Sequence, residues 1–220
     1  MSSTPRTVLF DIDGTLIDSN YLHIDAWSRA FAAVERPIAA WRIHRGIGMD
    51  GDLLVEELLG ADAAELGGRA SDIHSRLYRD MSPRLRPLHG ARELVRHLAR
   101  DGRRVVLATS APQDELELLL PVLDLGDSVD VVTSSADADT AKPAPDLLQV
   151  ALERADTAPD DAVMIGDSVW DMRAARRAGL RGIGVLTGGV GAAELEEAGA
   201  DAVFRDAADL LERIAESPLA

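Results

Sequence analysis

Apolar positions along the chain alternate between two rhythms. Short unbroken apolar runs mark strands buried on both faces, and stretches with apolar residues at i, i+3, i+4 and i+7 mark amphipathic helices. The first run ends at Phe10 in "VLFDIDGTLIDS". From Arg92 onward the two rhythms take turns. Ala91, Leu94, Val95, Leu98 and Ala99 share a helical face, and "RRVVLATS" (103–110) is a buried strand followed by a helix from near Pro112. "VDVVTS" (129–134) is the third strand. A helix from about Pro143 then places Leu147, Leu148, Ala151, Leu152 and Ala155 on one side. "DAVMIGDS" (161–168), "RGIGVL" (181–186) and "ADAVF" (200–204) complete six strands, with Gly179 closing the helix after the fourth. Such alternation predicts an α/β fold, a doubly wound parallel sheet with a Rossmann-like core and right-handed crossovers. Ligands of such sheets bind at the carboxyl ends of the strands.

Between the first strand and Arg92 the strand rhythm is missing. Leu22, Ala26, Trp27, Ala30, Phe31 and Val34 form one helical stripe, and further helical segments run from about Ile38 to Tyr78. This is longer than an ordinary connection in a compact domain. The expected organisation is therefore an α/β core from residues 1–18 and 87–220, with a small all-helical cap domain, 19–86, inserted after the first strand.

Composition narrows the function. The 220 residues are 46% hydrophobic and 28% charged, as in a globular protein with a full core. A formal net charge of −15 opposes binding to nucleic acid. No apolar stretch reaches the ~20 residues of a membrane span, and the polar start gives no secretory signal. Without cysteine, disulfides, thiolate metal sites and cysteine nucleophiles are excluded. A cytoplasmic setting is the expectation, with a small phosphorylated metabolite as partner and neither nucleic acid nor membrane.

Chemistry gathers at the predicted strand ends. Asp11 and Asp13 follow strand one, Thr109 and Ser110 end strand two, Lys142 opens the helix after strand three, and Asp167 with Asp171 follows strand four. Each has a plain alternative: Asp and Gly favour turns, Asp167 and Ser168 are good helix caps, and an isolated lysine is usually solvated. Those alternatives do not predict that all the groups fall on one sheet edge. Convergent carboxylates stay ionised when a cation lies between them, and Asp11 with Asp167 suits Mg²⁺. Thr109, Ser110 and Lys142 suit phosphate oxygens. One carboxylate can then attack phosphorus while the second moves protons.

With these residues in place, the sequence resembles the haloacid dehalogenase-like hydrolase superfamily in "DIDGT" (11–15), "LATS" (107–110), "AKPAPD" (141–146) and "GDSVWD" (166–171). The resemblance implies Asp11 as nucleophile and metal ligand, and Asp13 as general acid/base that also binds metal through its main-chain carbonyl. It implies Thr109 and Lys142 at the phosphate, Asp167 as the remaining Mg²⁺ ligand and Asp171 as a supporting acid. The insertion is similar to the helical cap of phosphoglycolate phosphatases and β-phosphoglucomutase-like enzymes. Asp13 separates the chain from dehalogenases, and the lack of lysine between Asp18 and Pro87 separates it from phosphonatases. In "HRGIGMDGD" (44–52) Met49 stands where mutases carry an arginine, and Thr15 is a phosphatase feature. His23, Arg45 and Met49 become the expected substrate contacts of the cap, with Arg42 and His44 as further candidates. The expected activity is Mg²⁺-dependent hydrolysis of a small phosphomonoester, a sugar phosphate or phosphoglycolate-like, with a sugar phosphomutase as the alternative.

Overall fold

The computed structural model describes residues 5–137 and 144–220. Six parallel strands form one sheet in the order β3-β2-β1-β4-β5-β6. They are β1 (Thr7–Phe10), β2 (Arg104–Ala108), β3 (Val131–Thr133), β4 (Ala162–Gly166), β5 (Arg181–Val185) and β6 (Ala202–Phe204). The central strand β1 pairs with β2 on one side, Thr7 opposite Arg104, and with β4 on the other, Thr7 opposite Ala162. The strand order reverses there, which opens the crevice of a doubly wound sheet beyond Phe10.

Successive strand residues point to opposite faces. Val8, Phe10, Val105, Leu107, Val163 and Ile165 pack on one side with α5 (Ala91–Arg100), α6 (Gln113–Leu123) and α10 (Ala207–Glu212). Leu9, Val106, Ala108 and Met164 pack on the other with α7 (Asp146–Arg154) and α8 (Val169–Ala178). A short helix α9 (Ala192–Ala198) lies between β5 and β6.

Helices α1 (Asn20–Ala33), α2 (Ala40–Gly46), α3 (Gly51–Leu59) and α4 (Ala63–Met81) follow β1 with no strand among them. Their apolar faces close over a cluster of their own, built from Ile24, Trp27, Phe31, Ile43, Leu54 and Leu58. Leu22 and Ala26 of α1 and Tyr78 and Met81 of α4 belong instead to the sheet-side core. The helical insertion is thus anchored through the ends of these helices that lie nearest the sheet.

Four expected strands end sooner than their sequences suggest, β3 and β5 by one residue and β2 and β4 by two. β2 stops at Ala108 and β4 at Gly166, where side-chain bonds of the next residues begin, although the Thr109 amide still donates to the Thr133 carbonyl of β3 (3.1 Å). Thr109 Oγ1 accepts from the Ala111 amide (3.0 Å), and Ser168 caps α8. Helix α7 begins at Asp146, directly after Pro145, rather than at Pro143. Among the described residues, no helix is long and apolar enough to cross a membrane.

Candidate active site

Beyond Phe10 the chain turns sharply at Gly14, whose φ of +78° is a left-handed conformation. Space demands glycine there as well, since a Cβ would lie 2.2 Å from Asn20 Nδ2 and 2.4 Å from Asp167 Oδ2. The turn leaves Asp11 buried and Asp13 partly exposed at the mouth of a cavity of about 290 Å³. Asp11, Asp13, Thr109 and Ser110 line this cavity on the sheet side, and His23, Trp27 and Met49 line it on the insertion side.

Asp11, Asp167 and Asp171 are 7%, 3% and 1% exposed, and one carboxylate oxygen of each lies within 4.8 Å of the others. Thr15 Oγ1 donates to Asp167 Oδ1 (2.8 Å) and Asn20 Nδ2 donates to Oδ2 (2.9 Å). Burial, and then the charge of Asp171, push the Asp167 carboxyl up to about 7 despite these two bonds. Asp171 closes a capping box with Ser168, receiving its amide (3.1 Å) and hydroxyl (2.6 Å). The helix-cap alternative for this segment is therefore real, and it coexists with the acidic cluster. A set of buried, hard oxygen donors is what a divalent cation such as Mg²⁺ takes, so the residues fit the ion.

Asp13 receives the Ser19 hydroxyl at Oδ1 (2.5 Å), and His23 Nε2 stands 3.5 Å from the same oxygen. In the same cavity, Ser110 Oγ is buried with no hydrogen-bond partner among the described residues. An orphaned hydroxyl costs about 1–3 kcal/mol when left unsatisfied. A bound anion would supply its partner.

The expected residues do not all converge. Asp11, Asp13, Thr109 and Ser110 meet at the cavity, which His23 and Met49 also reach, and Asp167 and Asp171 cluster with Asp11. Arg45 does not: its guanidinium pairs with Glu194 of α9, and it is absent from the cavity wall. His44 Nε2 bonds the Gly188 carbonyl (2.8 Å), a second tie between insertion and core. Arg42 is exposed on α2, and Lys142 lies outside the described residues. Sequence reasoning missed Asn20, Gly188, His74 and Glu115. Asn20 carried no signal beyond its place near a helix start, whereas His74 interrupts the otherwise small or apolar buried face Gly67, Ala70, Tyr78, Met81 of α4.

Gly188 offers a sharp test of the acidic cluster. A Cβ on Gly188 would fall 1.8 Å from Asp167 Oδ2, while the backbone there needs no left-handed angle. Gly188→Ala should fold with an unchanged far-ultraviolet circular dichroism spectrum but displace Asp167. Turnover should fall about 10–100-fold, as for other shifts of groups around a metal site. Wild-type turnover in a folded variant would remove Asp167 from the machinery.

Comparison with known proteins identifies the family. A family model described as haloacid dehalogenase-like hydrolase matches residues 5–179. A Thermotoga maritima protein named phosphorylated carbohydrates phosphatase is 30% identical over 205 residues, 91% of this chain and 94% of that one. Pyrophosphatase PpaX of Bacillus cereus is 29% identical over 215 residues, 94% of each chain. The crystal structure of a hydrolase from Pseudomonas syringae superposes with a TM-score of 0.91 at 37% identity, covering 96% of this chain and 98% of that one. The chain belongs to the haloacid dehalogenase-like hydrolases and is an enzyme of the phosphatase kind.

Proposed function

We propose that the enzyme is a Mg²⁺-dependent phosphatase that hydrolyses a small, uncharged-alcohol phosphomonoester through a phosphorylated Asp11. The observation that carries this reading is the meeting of Asp11, Asp13 and the orphaned Ser110 hydroxyl at one cavity, above buried Asp167. Asp11, Asp167 and the main-chain carbonyl of Asp13 would hold the ion, with Asp171 behind them. Bound there, Mg²⁺ supplies positive charge that offsets the carboxylates and the phosphate oxygens.

Thr109 and Ser110 hold the phosphoryl oxygens, with Lys142 assigned to the same task. An Asp11 oxygen attacks phosphorus, the ester P–O bond breaks, and the Asp13 carboxyl proton passes to the leaving alcohol oxygen. Asp13, now a carboxylate, takes a proton from water as its oxygen attacks phosphorus. The Asp11–phosphorus bond breaks and inorganic phosphate leaves. Residues 19–86 act in this scheme as a cap that keeps bulk water from the phosphorylated enzyme.

Charge on the cavity wall bears on the substrate. Asp50, Asp52 and Glu115 line it together with Asp11 and Asp13, and no arginine or lysine does so among the described residues. A second phosphate, as a mutase or a pyrophosphatase must hold, meets repulsion there, and so does the carboxylate of phosphoglycolate. Trp27, Ile47 and Met49 supply apolar contact instead. A sugar or other polyol phosphate is the class this wall supports. On a panel at equal concentration, polyol monophosphates should exceed phosphoglycolate and pyrophosphate at least about tenfold in kcat/KM, the size of one modest binding difference. Preference for either anionic substrate would overturn the assignment of the class.

Metal and nucleophile have separate tests. Exhaustive chelation should abolish turnover and Mg²⁺ should restore it. Ca²⁺, larger and looser in coordination, should restore little. Full activity in chelator would reject the ion. With labelled acetyl phosphate and acid quench, Asp11→Asn should trap no label. Asp13→Asn should retain phosphorylation from this activated donor and stall at hydrolysis, losing about 10²–10⁴-fold in turnover of alkyl esters. Label on Asp11→Asn protein would exclude Asp11 as nucleophile.

A further inference from the structure

Asp167 is held by two neutral side-chain donors from the segment that follows β1. Thr15 Oγ1 reaches Oδ1 (2.8 Å) and Asn20 Nδ2 reaches Oδ2 (2.9 Å). Backbone encloses Oδ2 further, since a Cβ on Gly14 would lie 2.4 Å from it and a Cβ on Gly188 only 1.8 Å. A cation ligand is an ionised carboxylate, which only accepts, so Asn20 must turn its NH₂ toward Asp167. The amide carbonyl is then left over. Asn20 is 3% exposed, and its Oδ1 has no hydrogen-bond partner among the described residues. An amide kept for folding alone would be paired at both ends, because a buried acceptor without a donor is destabilising. The end that does the binding at Asn20 is the one that meets Asp167.

We propose that Asn20 is a positioning residue that, together with Thr15, fixes Asp167 as a one-oxygen ligand, and that this clamp makes the site select Mg²⁺ over Ca²⁺. The proposal rests on the reading of Asp167 as a metal ligand. Mg²⁺ demands near-octahedral geometry and is content with single carboxylate oxygens, water filling its other positions. Ca²⁺ is larger, takes more oxygens in looser arrangements, and readily grips both oxygens of one carboxylate. A carboxylate free to rotate therefore serves Ca²⁺, because turning brings its second oxygen to the ion. Asp167 cannot turn without breaking both of its bonds. Its Oδ2 is walled in by Gly14, Gly188 and Asn20, which leaves Oδ1 to the ion. Neither donor carries a charge, so the clamp orients the carboxylate without competing with the cation for it. An arginine or lysine in the place of Asn20 would neutralise the ligand it held. Selectivity thus lies in two residues that need not touch the metal at all.

The test reads cation affinity without turnover. Enzyme freed of metal by chelator and dialysis is titrated with MgCl₂ or CaCl₂ at constant ionic strength, and each Kd is taken from the rise in thermal midpoint. The wild-type enzyme should bind Mg²⁺ more tightly than Ca²⁺. Asn20→Ala should weaken Mg²⁺ binding about 10–100-fold, as for other residues that orient a metal ligand, and Ca²⁺ binding at least about tenfold less, so that the preference narrows or reverses. Thr15→Val, close in shape, releases the other oxygen and should narrow the preference in the same direction. It decides the matter if Asn20→Ala does not fold. Equal loss for the two cations, or no loss, would reduce the pair to a structural role and overturn the proposal. Equal affinity for both cations in the wild-type enzyme would overturn it as well. Asp167→Asn is the control: wild-type Mg²⁺ affinity there would remove Asp167 as a ligand, a failure of the underlying reading. Weakened Mg²⁺ binding in Asp167→Asn, with the preference unchanged in Asn20→Ala, would keep that reading and reject the clamp alone.

Discussion

Three carboxylates crowded into a nearly water-free space are the constraint around which the rest of the molecule is arranged. Asp11, Asp167 and Asp171 repel one another and lose solvation together. The surroundings answer with donors where donors can reach: Thr15 and Asn20 on Asp167, and the Ser168 amide and hydroxyl on Asp171. Where no donor is used, the chain clears space. Gly14 and Gly188 both stand where a methyl group would strike Asp167, and Gly166 stands where one would strike Asp171. The glycines and the hydrogen bonds thus solve one electrostatic problem by two means.

Much of this was legible in the sequence because it is local. The strand-to-turn signature around Asp11 and Asp13, and the Ser168–Asp171 spacing, each lie within a few residues and follow from turn and capping chemistry. The sheet follows from the alternating rhythms, although the apolar runs carry β2 and β4 about two residues past their ends at Ala108 and Gly166. Strand propensity does not register that a polar side chain has a better partner beside the ladder. His74 and Glu115 were not legible. One lies on a buried stripe of α4 and the other on the inner side of α6, and only tertiary packing brings them together. Arg45 misled for the opposite reason: a cation beside a glycine-rich loop suggests a ligand contact, yet a carboxylate on α9 takes it. The position of Lys142 falls outside the described residues.

The insertion and the core are coupled by chemically different ties. On the outer side, Arg45 with Glu194 and His44 with the Gly188 carbonyl join α2 to the segment after β5. On the inner side, the stacked His23 and His74 reach from Asp13 to Glu115. The outer ion pair is about half exposed, so solvent and salt screen it and its net contribution is small. The inner row is desolvated and oriented. Relative movement of the two parts therefore disturbs the inner geometry more than it costs in outer contacts.

The central place of β1 has a consequence for how the polypeptide is made. Its neighbours β2 and β4 begin at Arg104 and Ala162, so a chain emerging from synthesis carries β1 for a long interval before either partner exists. During that interval both edges of an apolar strand are unpaired, a template for association with other chains. Loop closure over such separations is slow, and parallel pairing rewards it late. The helical insertion follows β1 immediately and has an apolar cluster of its own. Its apolar contacts lie within one continuous segment, so they can form before β1 has either partner.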